Sequence, residues 1–276
     1  MRIFKGKIIR NIKNQKERKK KRQQERFAII YDRTITEVFL DKEKINLDKF
    51  VAIPRDIFSR GLSKAALAVY PVLCSRADFE EDKEFQISQK NIGYLTGADE
   101  GTVRKAIDEL TKAKLATERM VTSGTRHFYI YTITFTRKPN LEIKDNRAKS
   151  FPFYNCIIDN GIWAELKPRA KVLYLTMRAS AKPADLDLYC SIEYDEYYEP
   201  IEYDVYIQNR KWDLCDLSLS ELCRLAGIER SNIEVNLTDL ERFKLIERIG
   251  YIPEVGKYIT KVYLRPRRFM EHDGNE

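Results

Sequence analysis

Histidine is nearly absent from this 276-residue chain, which contains only His127 and His272. Two isolated imidazoles cannot build the paired-histidine metal site of a nicking or rolling-circle nuclease. No Gly-rich loop ending in Gly-Lys-Ser/Thr occurs, so nucleotide hydrolysis lacks its phosphate cradle. The five cysteines (Cys74, Cys156, Cys190, Cys215, Cys223) are widely spaced, with no Cys-x-x-Cys pair. Neither a disulfide framework nor a structural zinc knuckle fits that spacing, and a reducing, cytoplasmic compartment is expected. The longest apolar run, 65–74, is interrupted by Pro71 and falls short of the ~20 residues of a bilayer span. No apolar segment with a small-residue cleavage site opens the chain, so no secretory signal is expected. The acids within 193–204 keep no ligand spacing. No catalysis, metal, cofactor or membrane partner is expected.

What is present is charge, unevenly placed. The net charge is +8, yet residues 1–26 alone hold twelve Lys/Arg against Glu17 and Glu25, a net of +10. The rest of the chain is therefore close to neutral, at −2. A polyanionic partner is the first suggestion, with Lys19, Lys20, Lys21 and Arg22 in the densest run. Two other readings of this tail stay open. It is either a solvated tail without a specific partner, or an amphipathic helix (Phe4, Ile8, Ile12) on an anionic membrane.

An internal repeat organises the body. The run Ile87-Ser88-Gln89-Lys90-Asn91-Ile92-Gly93-Tyr94-Leu95-Thr96-Gly97-Ala98-Asp99 returns 130 positions later as Leu217-Ser218-Leu219-Ser220-Glu221-Leu222-Cys223-Arg224-Leu225-Ala226-Gly227-Ile228-Glu229. Val103, Ile107, Leu110 and Leu115 then match Ile233, Leu237, Leu240 and Leu245 without a gap. An earlier block starting at Leu62 matches Leu166 at an offset of 104, so the second copy carries 26 extra residues between its first two helices. Within that insertion, 185–204 holds eight acids, five tyrosines and no Lys or Arg. It reads as an acidic solvated loop, or as a docking surface or counter-charge for the basic tail.

Each copy reads as helix, short strand, helix, turn, helix, hairpin. In the first, a helix spans 63 to about 76, where Pro71 is expected to kink it or end it early. Ser88 caps the next helix, Gly97 ends it, and Asp99 caps a third running to about 114. Segments 115–121 and 126–135 alternate as a hairpin. In the second copy the third helix is expected over 230–244, with 245–251 pairing 257–264. A helix, glycine turn and second helix followed by a hairpin is the winged-helix arrangement. The expected fold is α+β, two tandem winged-helix domains behind a basic N-terminal tail. The boundaries are a tail at 1–26, domains at 27–139 and 151–268 joined by a linker at 140–150, an insertion at about 181–212, and a C-terminal tail at 269–276.

A helix of this kind lays its N-terminal residues against base edges in the major groove. In the first copy the outward face carries Thr102, Arg104 and Lys105, with Lys112 further along toward the backbone. Arg104 and Lys105 can donate to guanine O6 and N7. In the second copy the face offers Ser231, Asn232, Thr238 and Arg242, but Glu234 would repel phosphate. Arg126 in the first wing, Lys257 and Lys261 in the second, and Arg265 beyond it complete the candidate contacts. A solvated helix face is the alternative for each set.

The run Ile53-Pro54-Arg55-Asp56-Ile57-Phe58, then Leu62-Ser63-Lys64-Ala65-Ala66-Leu67-Ala68-Val69-Tyr70, then Gln86-Ile87-Ser88 resembles the N-terminal winged helix of bacterial plasmid and phage replication initiators, the theta-type plasmid initiators above all. The resemblance spans about 50–135 and, more loosely, 151–265. It implies a non-enzymatic, sequence-specific binder of double-stranded DNA acting at repeated origin sites, with a homodimer or replication proteins as further partners. Transcription repression on the same scaffold is the alternative. An assembly adaptor built of winged helices is a third reading, from another class.

Overall fold

The computed structural model describes residues 49–77, 84–123, 126–134, 150–183, 211–252 and 257–266. All of them lie in one compact unit, Asn46–Glu276. The basic tail 1–26, residues 140–149 of the expected linker, the acidic stretch 185–204 and residues 269–276 fall outside the described residues.

Helix and strand are mixed in both copies. Strand β1 (Phe50–Pro54) buries Val51 and Ile53 on one face and leads into a 3-10 turn, Arg55–Ser59. Helix α1 (Lys64–Arg76) starts where the Ser63 hydroxyl accepts from the Ala66 amide. Strand β2 (Glu84–Gln86) follows, and Ser88 caps α2 (Gln89–Thr96) in the same way. Helix α3 (Glu100–Lys112) then leads to strands β3 (Ala116–Ser123) and β4 (Arg126–Ile133). The three strands pair in the order β2-β4-β3.

Of the two outcomes expected at Pro71, a kink or an early end, the early end does not occur. The helix continues to Arg76, with every residue from Ala66 to Ser75 buried. Interior proline costs a helix ~3 kcal/mol. Burying the flanking Val69, Tyr70, Val72 and Leu73 outweighs that, at ~1.5–3 kcal/mol per large apolar side chain.

The second copy opens with β5 (Ser150–Tyr154) and two one-turn helices, α4 (Cys156–Asp159) and α5 (Ile162–Glu165). Helix α6 (Pro168–Ser180) corresponds to α1 and places its proline at the first turn, where no amide partner is lost. Strands β6 (Lys182–Pro183) and β7 (Trp212–Cys215) flank the insertion. Helix α7 (Leu219–Ala226) carries a reciprocal Ser218–Glu221 capping box and ends at Gly227. A 3-10 turn (Arg230–Asn232) precedes α8 (Ile233–Arg242), and β8 (Ile246–Ile252) pairs with β9 (Lys257–Tyr263). The sheet order is β6-β7-β9-β8.

The third helix of the second copy was expected from 230; the α-helix starts at Ile233 instead. The repeat explains the difference. Asp99 accepts from both the Thr102 amide and the Thr102 hydroxyl. Its counterpart Glu229 is one methylene longer and engages the Asn232 side-chain amide at 2.9 Å, with no cap on the backbone. Without that cap the first turn tightens to 3-10 geometry.

The two copies are joined by antiparallel pairing of their first strands. Val51 faces Phe153, Ile53 faces Phe151, and Ala52 faces Pro152 at the centre. Aligned with each other as the first strands of the two copies, β1 and β5 match Val51 with Phe151 and Ile53 with Phe153, and on that alignment a local two-fold relation passes through the Ala52–Pro152 pair. Helix α1 packs on its own counterpart α6. Side chains also link the copies: Trp163 Nε1 of the second donates to Ala68 O of the first at 2.9 Å, and the Arg76 guanidinium of the first donates to the Asp159 carboxylate of the second at 2.8 Å.

Lys171, on α6, is 2% exposed, and its ammonium donates to Thr96 O at the end of α2 and to Leu166 O at the end of α5. Burial lowers its pKa from 10.5 to about 7. Between those two values the unfolded chain holds a proton that the folded chain has released. This residue's contribution to stability therefore rises with pH across the window and is smallest below about 7. Urea unfolding of the wild type and Lys171→Met at pH 7 and pH 10 checks the sign. The stability difference should shift toward the wild type at the higher pH, and a constant difference would refute the assignment.

Candidate nucleic-acid interface

Helix α3 divides cleanly. Val103, Ala106, Ile107 and Leu110 are buried, and Arg104, Lys105, Asp108, Thr111 and Lys112 are exposed on the other side. The helix is fixed at both ends. Asp99 caps its start, and the Thr102 hydroxyl and amide hold that carboxyl below the ordinary carboxylate range. At its far end Lys114 adopts a left-handed φ of 56°, and Leu115 N bonds Leu110 O at 3.0 Å. Gly97 sets the angle between α2 and α3. Its φ is +64°, and a Cβ there would lie 2.1 Å from Ala164 O, so only glycine fits this turn.

Four expected contacts, Thr102, Arg104, Lys105 and Lys112, thus come together on α3. Thr102 is half-buried and its hydroxyl donates to Asp99 Oδ2 at 2.7 Å, whereas Arg104 and Lys105 project from the helix's first turns into solvent. Arg126 opens β4, the second strand of the β3–β4 hairpin.

The second copy presents different chemistry at equivalent positions. Glu234 stands where Arg104 stands in the first copy, and Val235, 54% exposed, stands where Lys105 does. Ser231 and Thr238 are exposed, and Asn232 donates to Glu229 and to the Ser231 hydroxyl. Arg242 lies over the Phe243 ring at 4.4 Å. Lys257 opens β9; Lys261 sits over the Trp212 ring at 4.6 Å and Arg265 over the Tyr154 ring at 5.5 Å. Lys19, Lys20, Lys21 and Arg22 lie outside the described residues.

Sequence reading missed Arg248. From β8 its guanidinium donates to Glu234 at 2.7 Å and to both oxygens of Glu241 at 2.8 and 2.7 Å. Glu241, with Glu234, pushes its pKa above the ordinary arginine value. Glu234 is therefore held in an ion-pair network. The available signal was an arginine seven positions beyond Glu241, on the strand that follows its helix, but strand register decides which face it takes.

Among the described residues, no group of three or more His, Cys, Asp or Glu side chains is placed to hold a metal ion. No described helix is long and apolar enough to cross a membrane.

No family model matches the chain, and no curated protein matches it. Among solved structures, a Pi initiator protein in complex with iteron DNA is similar at 10% identity and a TM-score of 0.43, over 79% of this chain and 98% of that one.

Proposed function

We propose that this chain is a sequence-specific double-stranded DNA-binding protein of two winged-helix copies, with α3 as its principal reading helix. The observation that carries the reading is the face of α3: Arg104, Lys105 and Lys112 are exposed on a helix whose opposite side is wholly buried and whose ends are both capped. A rigid helix with two exposed cations near its N-terminus, followed by a hairpin, suits major-groove contact. The +10 charge of residues 1–26 supplies sequence-independent attraction to phosphates. The role we favour is replication initiation at repeated origin sites, on the strength of the resemblance carried by Ile53–Phe58 and Leu62–Tyr70. Repression of transcription uses the same contacts. For the second copy alone, the exposed Val235 and the Glu234–Arg248–Glu241 network also support a protein-contact role.

Selection of bound sequences from a random duplex pool by the full chain tests the reading. Enrichment of a defined motif, with affinity falling steeply as salt rises, is the expected result. Recovery of unenriched sequence at every salt concentration would remove the specific reading.

A further inference from the structure

The second copy sends two buried donors into the first, one to the helix-turn-helix and one to α1. Lys171 Nζ reaches Thr96 O at 2.9 Å, one residue before the Gly97 turn that aims α3. Its other acceptor, Leu166 O, follows α5, and its ammonium lies 5.9 Å from the centre of the Trp163 ring. Trp163, fully buried, donates to Ala68 O in the middle of α1. Ala164 O sits against Gly97 itself, so the backbone of α5 also closes on the turn. The counterpart of Lys171 in the first copy is Leu67, which has no such reach. A buried charged amine is costly, and its desolvation is offset only by fixed acceptors in good geometry. An apolar residue would have packed here as Leu67 does. Helix α6 also packs against α8, so whatever fixes the α2–α3 turn to α6 also fixes α3 relative to α8.

We infer that Lys171 and Trp163 form an interdomain clamp that sets the separation and rotational phase of α3 and α8, and so the spacing of the two DNA segments that one chain engages. Both are positioning residues, acting through the Thr96–Gly97 turn and α1 without touching DNA. The inference rests on the reading of both helices as facing DNA.

The direct test uses the full chain and duplexes carrying the selected site with its two protected segments moved apart or together by one to four base pairs. Each added base pair rotates one segment by roughly 35° about the duplex, from the ~10–10.5 bp helical turn. The wild type should prefer one spacing, losing affinity on the order of tenfold two base pairs away, the scale of one good base contact. Lys171→Met, which keeps the volume and removes the donor, should flatten that preference to within about threefold while retaining the same sequence motif. Trp163→Phe removes the neighbouring donor with less loss of packing, and carries the same test should Lys171→Met not fold. Lys171→Arg, which keeps a charged donor, should restore a spacing preference. Wild-type spacing selectivity retained in folded Lys171→Met and Trp163→Phe would overturn the clamp and leave the DNA reading standing. A wild type indifferent to spacing would instead remove the two-helix reading, and the clamp's DNA role with it.

Discussion

Arg178→Met alone should lower the stability of the fold by ~3–5 kcal/mol, and Arg178→Met combined with Asp213→Leu should recover much of that loss. Arg178, on α6, and Asp213, on β7, form an ion pair at 2.8 Å with side chains 1% and 2% exposed. The guanidinium also points at Val262 O and Pro152 O, each at 3.5 Å, so one charged group spans helix, second-copy sheet and the centre of the strand pair joining the copies. Removing one partner leaves a carboxylate in a dry interior, whereas removing both replaces an ion pair with apolar volume. Arg55 lies close enough that Arg178 and Asp213 act on it in opposite senses, so the site holds a third charge. That residual arginine should keep the double variant somewhat below the wild type. Urea unfolding of the two single variants and the double variant measures the coupling. Strictly additive losses would show that the pair is not coupled in the folded state.

The second large effect is on binding. Arg104→Ala and Lys105→Ala should each cost ~1–3 kcal/mol on the selected duplex and relax its sequence preference at the base each one reads. Neither should change stability appreciably, because both side chains are exposed on a helix that packs through Val103, Ile107 and Leu110. Titration of selected and scrambled duplexes side by side separates the roles. A loss confined to the selected duplex marks base contact, and an equal loss on both assigns the residue to phosphate. The contrast within the molecule is Val235→Ala, at the position that matches Lys105. A loss there as large as at Lys105 would mean that apolar contact, not charge, carries recognition by α8.

Much of this fold was legible because its signals are local. Ser88, Ser218, Gly97 and Gly227 mark helix ends through short-range hydrogen bonds and backbone angles, which sequence states directly. The buried stripes of α3 and α8 were visible as apolar spacing, and the repeat carried each assignment from one copy to the other. The failures share a cause as well. Pro71 was read by its local cost, but it lies in a helix buried on all sides. Glu229 aligns with Asp99 in the repeat, but with one methylene more its carboxylate engages the Asn232 side chain and makes no backbone cap. The burial of Lys171 and Arg178 left no trace in the sequence, since a lysine or arginine on a helix reads as solvated until its neighbours across the fold are known. The candidate site was half visible. The cations of α3 could be named from the repeat, but the pairing of Glu234 with Arg248 depends on strand register.

The strand pair centred on Ala52 and Pro152 has the form of an isologous contact, in which one patch meets its own equivalent. Two separate subunits making such a contact would assemble only as concentration allowed. Here both partners belong to one polypeptide, so their meeting is intramolecular. The pairing of these two strands therefore does not depend on protein concentration. Because each partner occurs once, in fixed order, their surfaces are free to diverge. Arg104 and Lys105 in one copy and Glu234 and Val235 in the other are such a difference, which a pair of identical subunits could not carry.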